Sequence, residues 1–558
     1  MRLGSQGHRS RAAGWAPGCV RWPVLVGLLA AVATGRAAPL AAQDVTGEPG
    51  DDPAWTRTWS PLLWTAELPR TLPSAMQSLP DPLLWPAPRI GLFWSGGNPA
   101  GLPFELQDAF SAFRAGAAEG DGSYRRPLDP SRTTDAGLKA HGWQPFGGNG
   151  AAIGRVRVGR QGLQRPLSDY DLPYPASPYV VMDTAGSELG RTEAALEGAL
   201  GWRLGALGVG AALGYRAQQT RTTAAPVPRI LSAADPGASV GVVWNQSRRL
   251  RVGLHGRWRA HAERVLLYSV AAPSRVYWLQ GYFEARPQDV ASGYYQRRME
   301  RDGTAIALSL GGEAIGGTWT AFVERGEQEE RQHPPGRNDP DSDTWTTDAW
   351  TAGAALQRGF GSAIQVVVSG RYSILAGEAR RGDLPDTVTF VSDESVLDLA
   401  ADVEIEPVPM VQLRARLTFR SENRDRRDQL ARMRSDLEGW TTGFGVSVAY
   451  RPFPSLALGA GGAIAHYGAG GAIPDPADTG PAYSTYVAPE LSLEATDATS
   501  WAASGSVLWS LLPTASLWAR VSGTSLSGSE GGVRLPLAPG GKRKWWSVEL
   551  GAVLGVGW

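Results

Sequence analysis

Cysteine is almost missing from this chain: one residue in 558, Cys19, carries a thiol. That excludes a disulfide framework and any zinc site built from several cysteines. The six histidines are scattered, which removes a His-rich metal site. No charge of one sign predominates, since Lys plus Arg and Asp plus Glu both number 54. A nucleic-acid surface needs a basic surplus, so no nucleic-acid partner is expected. Beyond the N-terminus no run reaches about 18 consecutive apolar residues, which excludes helical membrane spans. Phosphate loop, dinucleotide fingerprint and H-E-x-x-H zinc motif are all lacking. One G-x-S-x-G string exists, Gly237-Ala238-Ser239-Val240-Gly241. A nucleophile elbow needs that string on a strand-to-helix turn, and here it opens a strand-like stretch with no helix behind it. No catalytic residue, metal or cofactor is therefore expected.

What is abundant is glycine, 70 residues, against a usual share of roughly 7%. Tryptophan, with 22, is also plentiful. At the start, Arg2, Arg9, Arg11 and Arg21 precede an apolar core, Val24 to Thr34, and then the small residues of Ala37 to Gln43. This is the layout of a secretory signal over residues 1–43, its apolar run too short to span a bilayer; a retained anchor is the alternative. Cys19 precedes the apolar core, which speaks against a lipoprotein anchor.

The remainder alternates with a period of two. Val548, Leu550, Ala552, Leu554, Val556 and Trp558 share one face, opposite small or polar residues. In Leu413–Arg420, Leu413, Ala415, Leu417 and Phe419 oppose Arg414, Arg416, Thr418 and Arg420. Val252, Leu254 and Trp258 oppose His255, Arg257 and Arg259, and Leu397, Leu399, Val403 and Ile405 oppose Asp398, Asp402 and Glu404. Such alternation marks strands with one apolar face. A soluble sandwich turns its polar face to water, whereas a membrane barrel turns its apolar face to lipid and its polar face inward.

Three features favour the barrel. Short turns (244–250, 315–318, 359–361, 406–410, 451–454, 511–514) interleave with long polar stretches (219–236, 327–344, 378–388, 421–437, 468–484, 524–543), the rim asymmetry of outer-membrane barrels. Aromatics gather near strand ends (Trp244, Tyr277, Trp278, Trp345, Trp440, Tyr450, Trp509, Trp518, Trp545, Trp546), as suits the lipid–water interface. The chain also closes on Trp558, which resembles the terminal assembly signal of Gram-negative outer-membrane proteins. The expected fold is all-β: a transmembrane antiparallel up-and-down β-barrel of 16–20 strands, with short periplasmic turns and long extracellular loops. Twenty strand-like segments can be drawn, among them 276–285, 291–299 and 303–313, with 483–496 ambiguous. The domains are then the signal (1–43), a Pro/Trp-rich segment (44–103) that is either a lumen plug or a periplasmic tail, and the barrel (104–558).

Gly97-Asn98-Pro99-Ala100-Gly101-Leu102 resembles the N-terminal Asn-Pro-Ala element of long-chain fatty-acid transporters (FadL-like), and the whole arrangement resembles uncharacterised outer-membrane barrel families that share such an element. The resemblance implies that Asn98, Pro99 and Ala100 belong to a hatch inside the barrel, and that hydrophobic solutes bind in the lumen and leave sideways.

Inside such a barrel, Asp398, Asp402, Glu404, Arg414 and Arg416 form a candidate charge ladder, joined by Arg257 and Arg259. With a turn centred on Val408, Asp402 faces Arg414, and Arg416 is diagonal to Asp398 and Asp402. Its role is either to filter ions or to stiffen the wall, at roughly 0.2–1 kcal/mol per cross-strand pair. The charge-dense stretch 421–436 is read as a loop, either solvated or bridging lipopolysaccharide phosphates through arginine. The expected partners are outer-membrane lipid, lipopolysaccharide, the barrel assembly machinery and a small solute. The function expected is binding or passage of that solute through the outer membrane. The alternatives are an accessory barrel of a surface or secretion complex, and a barrel hydrolase using Ser239 with His255 or His466.

Overall fold

The computed structural model describes residues 91–93, 97–104, 109–125, 129–164, 179–183, 188–224, 229–268, 274–280, 284–290, 294–314, 316–333, 342–361, 363–473, 487–512, 514–528 and 540–555. The stretch expected as an export signal, the lead segment as far as residue 90, and Trp558 lie outside these residues.

The strands are β1 (Phe110–Gly122), β2 (Arg132–Phe146), β3 (Gly150–Gln164), β4 (Tyr179–Asp183), β5 (Glu188–Leu204), β6 (Leu207–Ala224) and β7 (Arg229–Ser247). They continue as β8 (Leu250–Tyr268), β9 (Ser274–Gln280), β10 (Glu284–Val290), β11 (Tyr294–Ala314), β12 (Gly317–His333), β13 (Asp343–Phe360) and β14 (Ile364–Arg381). The last are β15 (Leu384–Val408), β16 (Val411–Asp428), β17 (Met433–Phe453), β18 (Leu456–Ala472), β19 (Ala498–Leu512), β20 (Ala515–Gly528) and β21 (Lys542–Leu554). One short helix, α1 (Ala488–Glu494), lies between β18 and β19.

Eighteen strands form one sheet, each antiparallel to its neighbour in the chain, and β1 pairs with β21 to close it. Closure leaves no free edge. The other three form a separate sheet, ordered β10–β9–β4. The expected strand at 276–285 falls in that small sheet, and 291–299 with 303–313 run together as β11. These two changes reduce twenty expected strands to eighteen.

At one rim every connection is two or three residues, as at 205–206, 248–249 and 409–410. The other rim carries the long connections, including those that hold the small sheet and α1. Three stretches expected as long loops are instead strand: β6–β7, β14–β15 and β16–β17 run through 219–236, 378–388 and 421–437, leaving only 225–228, 382–383 and 429–432 between them. The reason is visible in β16. Above the apolar belt both faces are polar, with exposed Asn423 and Arg427 alternating with buried Glu422, Arg424, Arg426 and Asp428. The period of two persists, but hydropathy no longer reports it.

The exterior is apolar. Leu213 is 68% exposed, Val240 65% and Leu138 63%, and such side chains recur on every wall. Soluble surfaces do not carry an apolar belt of this extent, and lipid is the solvent that suits it. On β17 the outward aromatics Trp440 and Tyr450 lie ten residues apart. At ~3.3 Å per residue and ~40° tilt that spans about 25 Å, the height of a barrel's apolar band.

Not every expected girdle aromatic faces lipid. Trp345 and Trp518 are buried on the inner wall, and Tyr277 and Trp278 lie in the small sheet. Trp345, Trp518 and Trp545 each cover a glycine of the neighbouring strand, Gly377, Gly551 and Gly120 respectively. An indole laid over a strand glycine replaces the side-chain contacts that the glycine lacks. A Trp518→Ala substitution should cost about 3 kcal/mol, read as a lowered urea midpoint of the reconstituted barrel. An unchanged midpoint would dismiss this role for the Trp518–Gly551 contact.

Candidate functional site

The site is the lumen wall, where alternation turns every second side chain inward. Near the short-turn rim it receives the N-terminal segment. Pro99–Phe104 forms a 3-10 turn with Pro99, Ala100, Gly101 and Leu102 buried. Asn98 is fully buried. Its Nδ2 donates to the carbonyl oxygens of Val242 (3.2 Å) and Leu254 (3.4 Å), and its Oδ1 accepts from the Ala100 amide (3.0 Å). The turn therefore fastens to β7 and β8 through the wall's own backbone.

Glycines make the fit. A Cβ on Gly253 would come within 2.7 Å of Asn98 Nδ2, one on Gly208 within 2.8 Å of Ala100 O, and one on Gly201 within 2.7 Å of Pro99 O. Gly210 and Gly241 are crowded by Pro99 and Asn98 in the same way. Five glycines on β5 to β8 thus form a flat seat for one Asn-Pro-Ala turn. Arg251 caps it, its guanidinium 5.7 Å from the Phe104 ring.

On the opposite side lies the charge ladder, in a corrected register. The β15–β16 turn is Pro409-Met410, and β15 is irregular between Ile405 and Val408. Pro407 has no N–H for the ladder, so an extra residue is bulged out. In consequence Glu404 faces Arg414, Asp402 faces Arg416 and Asp398 faces Arg420. Asp402 does not face Arg414, and Arg416 is directly opposite Asp402 and not diagonal to it. The ion-pair distances are 3.1 Å for Arg414–Glu404, 3.7 Å for Arg416–Asp402 and 3.5 Å for Arg420–Asp398.

Arg257 and Arg259 are not part of this ladder. They face inward on β8, separated from β15 by β11 to β14. Arg257 pairs with Glu324 of β12, and Arg259 is near Asp235 of β7. They belong to a second network that sequence reasoning missed. Arg216 bonds Asp235 at 2.5 Å, Asp235 bonds His261, Arg297 bonds Glu263 at 2.8 Å, and Arg301 reaches Glu330 at 3.1 Å. Asp235, Glu263, Arg297 and Glu330 are all nearly inaccessible to water. Breaking one buried pair strands a charge at about 3–5 kcal/mol, so these groups brace the wall. Asp235 and Glu330 fall within stretches expected as loops, which hid them. The same-face spacing of His261 with Glu263, and of Arg297 with Arg301, was the available signal.

Ser239 and His255 both face inward, on β7 and β8. Neither the Ser239 hydroxyl nor either His255 ring nitrogen has a hydrogen-bond partner, so they are not coupled as nucleophile and base. His466 sits elsewhere, beside the outward Trp440 at 5.3 Å, with Nδ1 3.2 Å from Thr499 Oγ1. Among the described residues no group of three or more His, Cys, Asp or Glu could hold a metal ion.

The stretch expected as a charged loop is the β16–β17 extension. There the Arg427 guanidinium, seconded by Arg434, holds the half-buried Asp425 carboxyl below the usual carboxylate range. A carboxyl depressed in the folded state adds stability above its unfolded pKa of about 3.9 and loses it as pH falls through the folded value. Asp425→Asn should therefore lower the urea midpoint slightly at pH 7, and the difference from the unaltered protein should vanish below the carboxylate range. A difference that persists in acid would rule out this ion pair as the cause.

The N-terminal seat makes a sharper prediction. An Ala100→Cys thiol should resist a water-soluble maleimide, because the position is fully buried. Adding Gly241→Leu should push Asn98 off the wall and make that thiol reactive. Equal labelling in both backgrounds would refute the glycine seat.

Over residues 99–554 the sequence matches the model of a family of unknown function (DUF6850), and the chain belongs to that family. No curated protein sequence matches it. Solved structures similar to it include BauA, the ferric preacinetobactin receptor from Acinetobacter baumannii (9% identity, 80% of each chain, TM-score 0.40). Another is the ferric citrate transporter FecA (9% identity, 80% of this chain and 78% of that one, TM-score 0.40). A third is a Pseudomonas aeruginosa FadL homologue (11% identity, 82% of this chain and 93% of that one, TM-score 0.34). None of them carries a residue role across to this chain.

Proposed function

We propose that this family member sits in the outer membrane and binds or passes a small solute through its lumen, without covalent chemistry. The observation that carries this reading is the wall itself: apolar outside, charged and ion-paired inside, in a barrel of eighteen strands. Barrels of 16–18 strands enclose more space than wall side chains fill, and a polar lining is what an aqueous path requires. Both signs of charge line the interior, which argues against strong anion or cation selectivity. On this reading lipid and lipopolysaccharide meet the outer belt, and the barrel assembly machinery inserts the chain.

A second reading, an accessory barrel acting through its long loops, draws support from the two elements folded against the inner wall, the Asn98 turn and α1. Single-channel recording of the refolded protein in a planar bilayer separates the two. A stable conductance is expected; silence from a correctly folded protein would overturn passage and leave the accessory role. Deleting residues 44–96 should raise the conductance if that segment closes the lumen, and should leave it unchanged if the segment is a tail.

A further inference from the structure

Helix α1 hangs from the connection between β18 and β19, and its residues Ala488 and Leu491 are fully buried. It is too short to be stable alone, so its contacts hold it. Tyr467 Oη donates to the Glu494 carbonyl at 2.7 Å, and Leu493 packs beside Tyr124 and Leu526. The Glu494 carboxylate meets two guanidiniums of β16, Arg424 at 3.0 Å and Arg426 at 3.6 Å. All three groups are over nine-tenths buried.

The wall does not need this carboxylate. Without it, Arg424 keeps Glu422 at 2.7 Å and Glu394 at 3.8 Å, and Arg426 keeps Glu394 at 2.7 Å. Glu494 can leave with both arginines still paired in charge to wall carboxylates, although the hydrogen bond from Arg424 Nη1 goes with it. Two inward guanidiniums that hold a third, loop-borne carboxylate above their own partners make an oxyanion site already filled from within.

We propose that Arg424 and Arg426 form a binding site for a carboxylate- or phosphate-bearing solute, and that Glu494 is its displaceable internal occupant. This rests on the solute-lumen reading and adds the chemistry of the solute. A tethered carboxylate competes at high effective concentration, so the site opens only when a free oxyanion outcompetes it, and α1 then detaches from β16.

The test is calorimetric titration of the purified full-length barrel in detergent at constant ionic strength, with inorganic phosphate, gluconate and neutral arabinose as probes. Glu494→Gln should bind phosphate or gluconate about tenfold more tightly than the unaltered protein, because the competitor is gone. Adding Arg426→Gln should abolish the gain, and arabinose should not bind. Which of the two anions binds distinguishes phosphate from carboxylate as the source. Equal binding by the unaltered protein and Glu494→Gln, or none by either, overturns the proposal. Glu494→Ala, checked for heat-modifiable migration, serves if the glutamine variant misfolds. The measurement needs no conducting lumen, so a protein that binds the anion but never conducts loses the passage reading and keeps the site.

Discussion

Everything in this molecule depends on backbone hydrogen bonding in a solvent that offers none. Hydrocarbon cannot satisfy an exposed N–H or C=O, so a strand that enters it must be paired on both sides. The β1–β21 pairing completes that requirement, and antiparallel neighbours follow from turns of two or three residues. Once the wall is closed, alternation leaves no freedom. Each residue faces lipid or lumen, and charge has one place to go.

Charge on the inner wall is held in pairs because an isolated buried ion is too costly. The pairs do not all serve the same purpose. Around Asp235 and Glu263 the acids are buried together with the arginines they pair with. On β16 the arginines retain wall partners of their own, and the loop carboxylate of Glu494 is surplus. The same ion-pair chemistry therefore braces one wall and makes a releasable contact on the other.

Backbone proximity is the second economy of the design. Where side chains are absent, two chains can approach, and the Asn98 turn docks where β5 to β8 present five glycines. Elsewhere the same absence is filled by an indole from the next strand, as Trp518 does for Gly551. Glycine abundance thus serves two opposite ends, close approach at the seat and cross-strand covering in the barrel wall.

The sequence by itself determined the fold class. Period-two alternation with apolar residues such as Leu413 and Leu417 against Arg414 and Arg416, together with the turn asymmetry, describes a membrane barrel without any structure. It also marked Asn98-Pro99-Ala100 and put Asp398, Asp402, Glu404, Arg414 and Arg416 on one wall, but wrongly joined Arg257 and Arg259 to them. Only tertiary structure decided the rest, because each remaining feature depends on what lies opposite. The ladder register turned on where the chain reverses, at Pro409-Met410 instead of Val408, and on one residue bulged out between Ile405 and Val408. The strand extension of β16–β17 was hidden because both of its faces are polar above the membrane. The meeting of Glu494 with Arg424 joins positions 70 residues apart. No local pattern records such a contact, since it exists only after the sheet has closed and the helix has turned inward.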